Sequence, residues 1–124
     1  MAELPTASAE PGSGGLAHVP DLAALIEVAD ESTVSRTVLR AEGVRLVLFA
    51  FDAGQELTEH TAAVPILLQV IDGRLRVGAG GAQAVLLPGA VIHIGARVPH
   101  EILALEPSRM VLTMLDPRVG RPKA

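Results

Sequence analysis

Short apolar runs separated by turn residues occupy most of the chain after residue 33, and glycine, proline or Asp-Gly bounds most of them. Turns recur roughly every 6 to 12 residues, and runs of this length indicate strands rather than helices. About nine strands are predicted, over residues 35–41, 44–51, 55–62, 66–71, 74–77, 82–87, 91–94, 98–104 and 109–115. Many short, closely spaced strands are typical of an all-β sandwich or barrel.

Two dipeptides predict tight hairpins, because their glycines supply the positive φ that primed turns need. They are Glu42-Gly43 and Asp72-Gly73, the second being the strongest hairpin signal in the chain. The run Val44–Phe51 is apolar on both faces after Arg45, so we expect both of its faces to be covered. The outer face needs the N-terminal helix or a second chain as cover, and on this ground we predict a homodimer.

The two ends of the chain differ in composition from the strand region. Residues 1–20 are rich in Ala, Ser, Gly, Pro and Glu, which predicts a disordered or loosely ordered tail. Residues 21–116 form the expected barrel, opened by a short helix over residues 22–28 with Asp21 as its N-cap. Residues 117–124 read as a polar C-terminal tail.

Composition excludes several classes of function. The net charge is −4, the basic residues are scattered and aromatic residues make up 2%, so no nucleic-acid surface is expected. No apolar run reaches the roughly 18 residues that a membrane helix requires. The chain has no cysteine, which excludes disulfides and thiolate chemistry. The N-terminus lacks the features of a secretory signal, so we expect a cytoplasmic protein that does not associate with membranes.

The candidate chemistry centres on two histidines, His60 and His100, each delivered by a short strand that follows a glycine turn. Strand alternation puts Thr58 on the same face as His60. Two further polar residues lie in apolar strands and need partners there, His93 and Gln69. We therefore expect His60, His100, His93, Gln69 and Thr58 to line a pocket.

The spacing of these residues resembles the motifs of the cupin family. Gly54, His60 and Gly73 match the first motif, and Gly89 and His100 fall where the second motif has its glycine and histidine. The resemblance covers residues 44–115, or more loosely 21–115, and is closest to small single-domain cupins of the cupin 2 conserved barrel type. It implies a double-stranded β-helix, the cupin jelly-roll barrel, with an interior pocket and often a dimer.

The same comparison shows a degenerate metal-binding motif. The family's metal ligands are three histidines and one glutamate, of which His60 and His100 match the first and last histidines. Ala62 stands at the second histidine position and Ile66 at the glutamate position. Because Glu59 alternates to the other face of its strand, it cannot easily join His60 at one metal. His93 is the better candidate for a third ligand.

Three functions follow from these observations. The first is a binding module, metal-poor or weakly metal-binding, that holds a small and mostly apolar molecule. The alternative is a metal-dependent cupin enzyme, a dioxygenase, isomerase or decarboxylase, with His60, His100 and His93 as ligands. The cofactor would be one divalent transition metal (Zn, Ni, Fe or Mn) or none. The third is a structural dimer. This function is disfavoured, because buried imidazoles that take no part in function would cost free energy.

Overall fold

In the computed structural model, which describes residues 1–9 and 15–120, the chain forms two β-sheets and one short 3-10 helix at Leu22–Leu25. The strands are β1 (Ala2–Glu3), β2 (Thr33–Ala41), β3 (Val44–Phe51), β4 (Glu56–His60), β5 (Ile66–Asp72), β6 (Leu75–Ala79), β7 (Ala82–Leu86), β8 (Val91–Ile94), β9 (His100–Ala104) and β10 (Ser108–Leu115). The six-stranded sheet has the order β1-β2-β3-β10-β5-β8, and the four-stranded sheet the order β4-β9-β6-β7. The expected all-β fold is confirmed.

One core lies between the two sheets. Its fully buried side chains come from both sheets, with Phe51, Leu68 and Met110 from the larger one and Leu75 and Ile102 from the smaller one. The strand pairs formed among β2 to β10 are all antiparallel in the described residues. The double-stranded β-helix, or jelly-roll barrel, has two antiparallel sheets that share one interior, and this chain has that arrangement.

Strand β3 is covered on both faces, as its apolar sequence predicted. Phe49 and Phe51 point into the core with ring centroids 5.9 Å apart. Leu48 and Ala50 point to the outer face, where they form a second cluster with Ile26. The cover on this face therefore comes from the segment around the 3-10 helix of the same chain.

The helix expected over residues 22–28 is shorter than predicted. Its 3-10 turn ends at Leu25, Ile26 is already extended, and the side chain of Asp21 makes no capping hydrogen bond. Few backbone bonds can form in so short a segment, so tertiary packing decides its conformation. Arg109 fixes the segment to the sheet by donating to the carbonyl oxygens of Ala23 and Ile26.

The expected N-terminal tail over residues 1–20 needs correction in its first part. Strand β1 pairs parallel with β2, and the N–H groups of Leu4, Ala7 and Ala9 donate to β2 carbonyl oxygens at 2.7 to 3.0 Å. An open edge of β2 offers unpaired backbone groups, which attract any nearby extended segment whatever its composition. Residues 10–14 of this tail and 121–124 of the expected C-terminal tail lie outside the described residues.

The Asp72-Gly73 hairpin was also predicted wrongly in one respect. A turn does follow β5, with Gly73 at φ 89°, but β5 pairs with β10 and β8 whereas β6 pairs with β7 and β9. The turn therefore carries the chain from one sheet to the other. Arg109 forms an ion pair with Asp72 and donates two hydrogen bonds to its carboxylate. These bonds raise the pKa of Arg109 above the ordinary value of an arginine.

Candidate functional site

The structure brings His60 and His100 together. They are paired residues of the adjacent strands β4 and β9, and their Nε2 atoms lie 3.2 Å apart. The rings meet edge to face, with centroids 4.3 Å apart and planes at 63°. His100 is 2% exposed, whereas His60 is exposed at the mouth of the barrel. One imidazole is therefore part of the core and the other faces solvent.

The other nitrogens of the two rings determine which atoms carry protons. Nδ1 of His60 lies 2.9 Å from the carbonyl oxygen of Thr58, and Nδ1 of His100 lies 3.0 Å from that of Val98. A carbonyl oxygen only accepts, so each Nδ1–H donates to it and each neutral ring presents a lone pair at Nε2. Two lone pairs that face each other at 3.2 Å need a shared proton or a bound cation between them.

The histidine pair lines an interior cavity of about 510 Å³, a volume within the usual range of small-molecule pockets. Apolar side chains from the six-stranded sheet form much of its wall, among them Val47, Phe49 and Leu112. Four polar residues of β2 and β3 also line the cavity: Ser35, Thr37, Arg40 and Arg45.

A second depression, of about 700 Å³, lies over the β6–β7 turn. Its walls are glycines, alanines, Pro99 and polar residues, with the exposed carboxylates of Glu59 and Glu101 at its edge. It has no large apolar side chain with which to bury a ligand, although His100 contributes to it. The interior cavity is therefore the better candidate site.

Three of the five residues expected in the pocket lie elsewhere. His93 is exposed on β8 and pairs with Leu67, while its neighbours Ile92 and Ile94 pack into the core. Gln69 is exposed on the same outer face, opposite Val91 and Val111. These two assignments are corrected, because alternation along the strand sends both side chains away from the interior.

Thr58 is the third of these residues. Its side chain is exposed and does not line the cavity, and only its carbonyl oxygen contacts the site, through His60. The pairing of β4 with β9 shifts register between Leu57 and His60. Because of this irregularity, simple alternation does not place Thr58 beside His60.

Sequence reasoning missed four polar residues of the cavity wall, which are Ser35, Thr37, Arg40 and Arg45. Ser35 and Thr37 carried a partial signal, since they alternate with Val34, Arg36 and Val38 along β2. Arg40 carried no such signal, because the face of the sheet on which it lies depends on a register shift between Thr37 and Leu39. Arg45 was visible only as a break in the apolar run of β3.

The residues present do not form the complete metal site of a catalytic cupin. The described part of the chain contains no group of three or more His, Cys, Asp or Glu side chains that could hold a metal ion. Ala62, which stands at one missing ligand position, packs against the core, and Ile66, at the other, is buried in it. Two imidazoles offer two nitrogen ligands, one fewer than the usual catalytic set.

The two-sheet barrel, its interior cavity and a histidine pair at the motif positions define a cupin-type fold. No protein-family profile matches the sequence, and no curated protein matches it. Solved structures do match. A conserved Streptococcus pyogenes protein of unknown function has a TM-score of 0.72 at 22% identity, covering 86% of this chain and 90% of that one.

Two further similar structures carry more specific names. A cupin superfamily protein from Desulfitobacterium hafniense has a TM-score of 0.71 at 23% identity, over 77% of this chain and 87% of that one. A variant of salicylate 1,2-dioxygenase from Pseudoaminobacter salicylatoxidans has a TM-score of 0.64 at 14% identity, over 75% of this chain but 29% of that one. The expected resemblance to small cupins is confirmed at the level of the fold. Among the described residues, no helix is long and apolar enough to span a membrane.

Proposed function

We propose that this protein binds a small, mostly apolar molecule in the interior cavity, with His60 and His100 as its polar contacts. The observation that carries the proposal is the buried imidazole of His100, which opens onto a cavity with apolar walls. Only its Nδ1 has a backbone partner; its Nε2 faces the exposed His60. A buried polar group that is not needed for the fold costs free energy, so a ligand gives it a use.

A divalent transition metal is expected to bind this pair weakly and exchange readily. The 3.2 Å between the Nε2 atoms is close to the separation of two neighbouring nitrogens on one ion, since metal–nitrogen bonds are about 2.0–2.1 Å long. Two protein ligands with water as the remainder hold Zn, Ni, Fe or Mn poorly.

The alternative is a metal-dependent enzyme of the dioxygenase, isomerase or decarboxylase type. The facing Nε2 lone pairs favour it, and the similar dioxygenase structure supports it at the level of the fold. The third ligand proposed for this function, His93, lies on the outer face of β8. For this reason we place the binding function first.

The test is a binding screen on His60→Ala, because His60 is exposed and its loss leaves the core intact. Small aromatic and aliphatic compounds are screened by two-dimensional NMR against protein purified without a nickel column. We expect shifts at residues around the cavity in the wild type and in His93→Ala, and none in His60→Ala. Binding that survives in His60→Ala, or is lost in His93→Ala, would contradict the assignment.

The same samples test the metal. Elemental analysis should find less than one metal ion per chain, and Zn²⁺ titrated into the wild type should be removed by brief dialysis. A tightly bound stoichiometric ion would favour the enzymatic alternative.

We also propose that the protein acts in the cytoplasm and as a homodimer.

A further inference from the structure

Two arginines of the cavity wall lie opposite each other next to the turn of the β2–β3 hairpin. Arg40 of β2 and Arg45 of β3 are directly paired across the two strands, and both line the cavity with His60 and His100. Like charges directly opposite each other on neighbouring strands destabilise a sheet. An arrangement of this kind is relieved when an anion lies between the two guanidinium groups.

The described residues leave these guanidinium groups largely without partners. Arg45 donates to the sulfur of Met114 at 3.0 Å, and a thioether is a weak acceptor. Neither arginine forms an ion pair within residues 1–9 and 15–120. Asp116 lies close enough for Arg45 to help lower its pKa, but the larger causes of that shift are hydrogen bonds from Arg118, which occupies the carboxylate.

The remaining cavity wall shows what kind of anion fits. Ser35 and Thr37 of β2 also line the cavity, directly opposite Phe49 and Val47 of β3. Val47, Phe49 and Leu112 make this part of the wall largely apolar. Glu3 is the carboxylate among the residues lining this cavity, against two arginines. The charge beside the arginines is therefore positive, and the apolar part of the wall suits a hydrocarbon body.

We propose that the ligand of this cavity is an organic acid whose carboxylate binds Arg40 and Arg45. Its apolar body lies against Val47, Phe49 and Leu112 and extends toward the His60–His100 pair. A planar carboxylate accepts two parallel hydrogen bonds from a guanidinium fork, which gives direction as well as affinity. The inference rests on the proposed binding function and adds the chemical class of the ligand.

The experiment compares charged and neutral molecules of the same shape. Benzoate and hexanoate are titrated into the full chain and followed by NMR, with benzamide and hexanamide as neutral counterparts and inorganic phosphate as an anion without an apolar body. We expect the acids to bind roughly tenfold or more tightly than the amides, since a hydrogen bond to a charged group contributes that much. Phosphate should bind weakly and compete poorly.

Substitutions assign the effect to the arginines. Arg40→Met and Arg45→Met should each weaken benzoate binding roughly tenfold while leaving benzamide binding unchanged. Arg45→Lys, which keeps the charge but loses the fork, should lie between. Arg76→Met, which changes an exposed arginine of β6 outside this cavity, should match the wild type. Glu3→Gln should tighten benzoate binding. Thermal melts check that each variant is folded.

The outcomes separate this inference from the proposed function. If acids and amides bind the cavity equally, the ligand class is overturned and the binding function stands. Benzoate binding that is insensitive to Arg40→Met and Arg45→Met also overturns the ligand class. Phosphate binding as tight as benzoate would overturn the role of the apolar wall. If neither the acids nor the neutral compounds bind, both proposals fail.

Discussion

His60 and His100 make the same ring contact but differ in what holds them. The position of His100 is set by the core, because its ring is buried and its strand β9 lies between β4 and β6. His60 sits on the edge strand β4, exposed, and is held by the Thr58 carbonyl and the partner ring. A ligand can therefore move His60 more easily than His100, which makes His60 the adaptable side of the site.

At the same scale, Asp52 gives the fold a dependence on pH. Its carboxylate accepts backbone N–H bonds from Glu31 at 2.7 Å and Ala53 at 2.9 Å. The bond from Glu31, then that from Ala53, lowers the pKa of Asp52 below its usual 3.8. A carboxylate with a lowered folded pKa stabilises the native state above its unfolded pKa, and the effect is lost as the pH falls through the folded pKa.

We therefore predict that Asp52→Ala is less stable than the wild type at neutral pH and that the difference closes in acid. Denaturant titrations from pH 7 to pH 2 measure the free energy of unfolding of both proteins. The gap should be complete above a pH of about 4 and shrink below it. Asp30→Ala, which removes a nearby exposed carboxylate, is the control and should show no such closing gap. A gap that stays constant down to pH 2 would contradict the charge-based explanation.

At the scale of elements, the crossing from one sheet to the other depends on Gly73. Its φ is 89°, and a Cβ at this position would overlap the Ser108 hydroxyl oxygen and the Pro107 carbonyl oxygen. Ser108 is buried and accepts the N–H of Arg74 at 2.9 Å. The turn therefore packs directly on the start of β10, with no room for a side chain.

We predict that Gly73→Ala destabilises the protein by about 3 kcal/mol or more, from strain at positive φ together with the clash. Gly89→Ala is the matched control, since Gly89 has φ 93° and a Cβ added there would meet nothing within 4 Å. Gly89→Ala should lower the free energy of unfolding only by the backbone strain, about 1 kcal/mol. Chemical denaturation measures both values, and equal losses in the two variants would show that the contact with Ser108 is unimportant.

Many of the turns were predictable from the sequence, because the residues that favour a turn lie within the turn itself. Glu42-Gly43 predicted the β2–β3 hairpin, whose glycine has φ 79°. The Asp72-Gly73 turn was also found, but its sheet crossing was not. Whether two strands around a turn pair with each other depends on distant partners, here β10 and β9, which no local signal specifies.

The candidate site divides in the same way. Motif spacing led to His60 and His100, whereas His93 and Gln69 were assigned without knowing which face of their strands is interior. Arg40 is the instructive omission. It lies three residues after Thr37, so regular alternation would put the two on opposite faces. The register shift between Thr37 and Leu39 turns Arg40 to the cavity side, and no residue pattern revealed that irregularity.

At the scale of the whole molecule, the outer face of β3 is covered by the same chain and gives no reason to expect a dimer. Leu46 and Leu48 on the outer face of β3 pack with Leu22, Leu25 and Ile26 of the same chain. That face needs no second chain. Exposed apolar side chains occur instead around the β7–β8 connection, where Val85 is 55%, Leu87 54% and Val91 59% exposed.

We still predict a homodimer, now through this region. Strands β7 and β8 are the edges of their sheets, and unpaired edges with exposed apolar side chains favour pairing with another chain. Light scattering at micromolar concentration should give twice the 12.9 kDa of one chain. The double variant Val85→Lys and Leu87→Lys should give a monomer, because facing charges across a twofold interface repel. Leu115→Lys, which charges an exposed leucine at the end of β10, should remain a dimer. A monomeric wild type would refute the dimer, and a double variant that stays dimeric would refute this location for its interface.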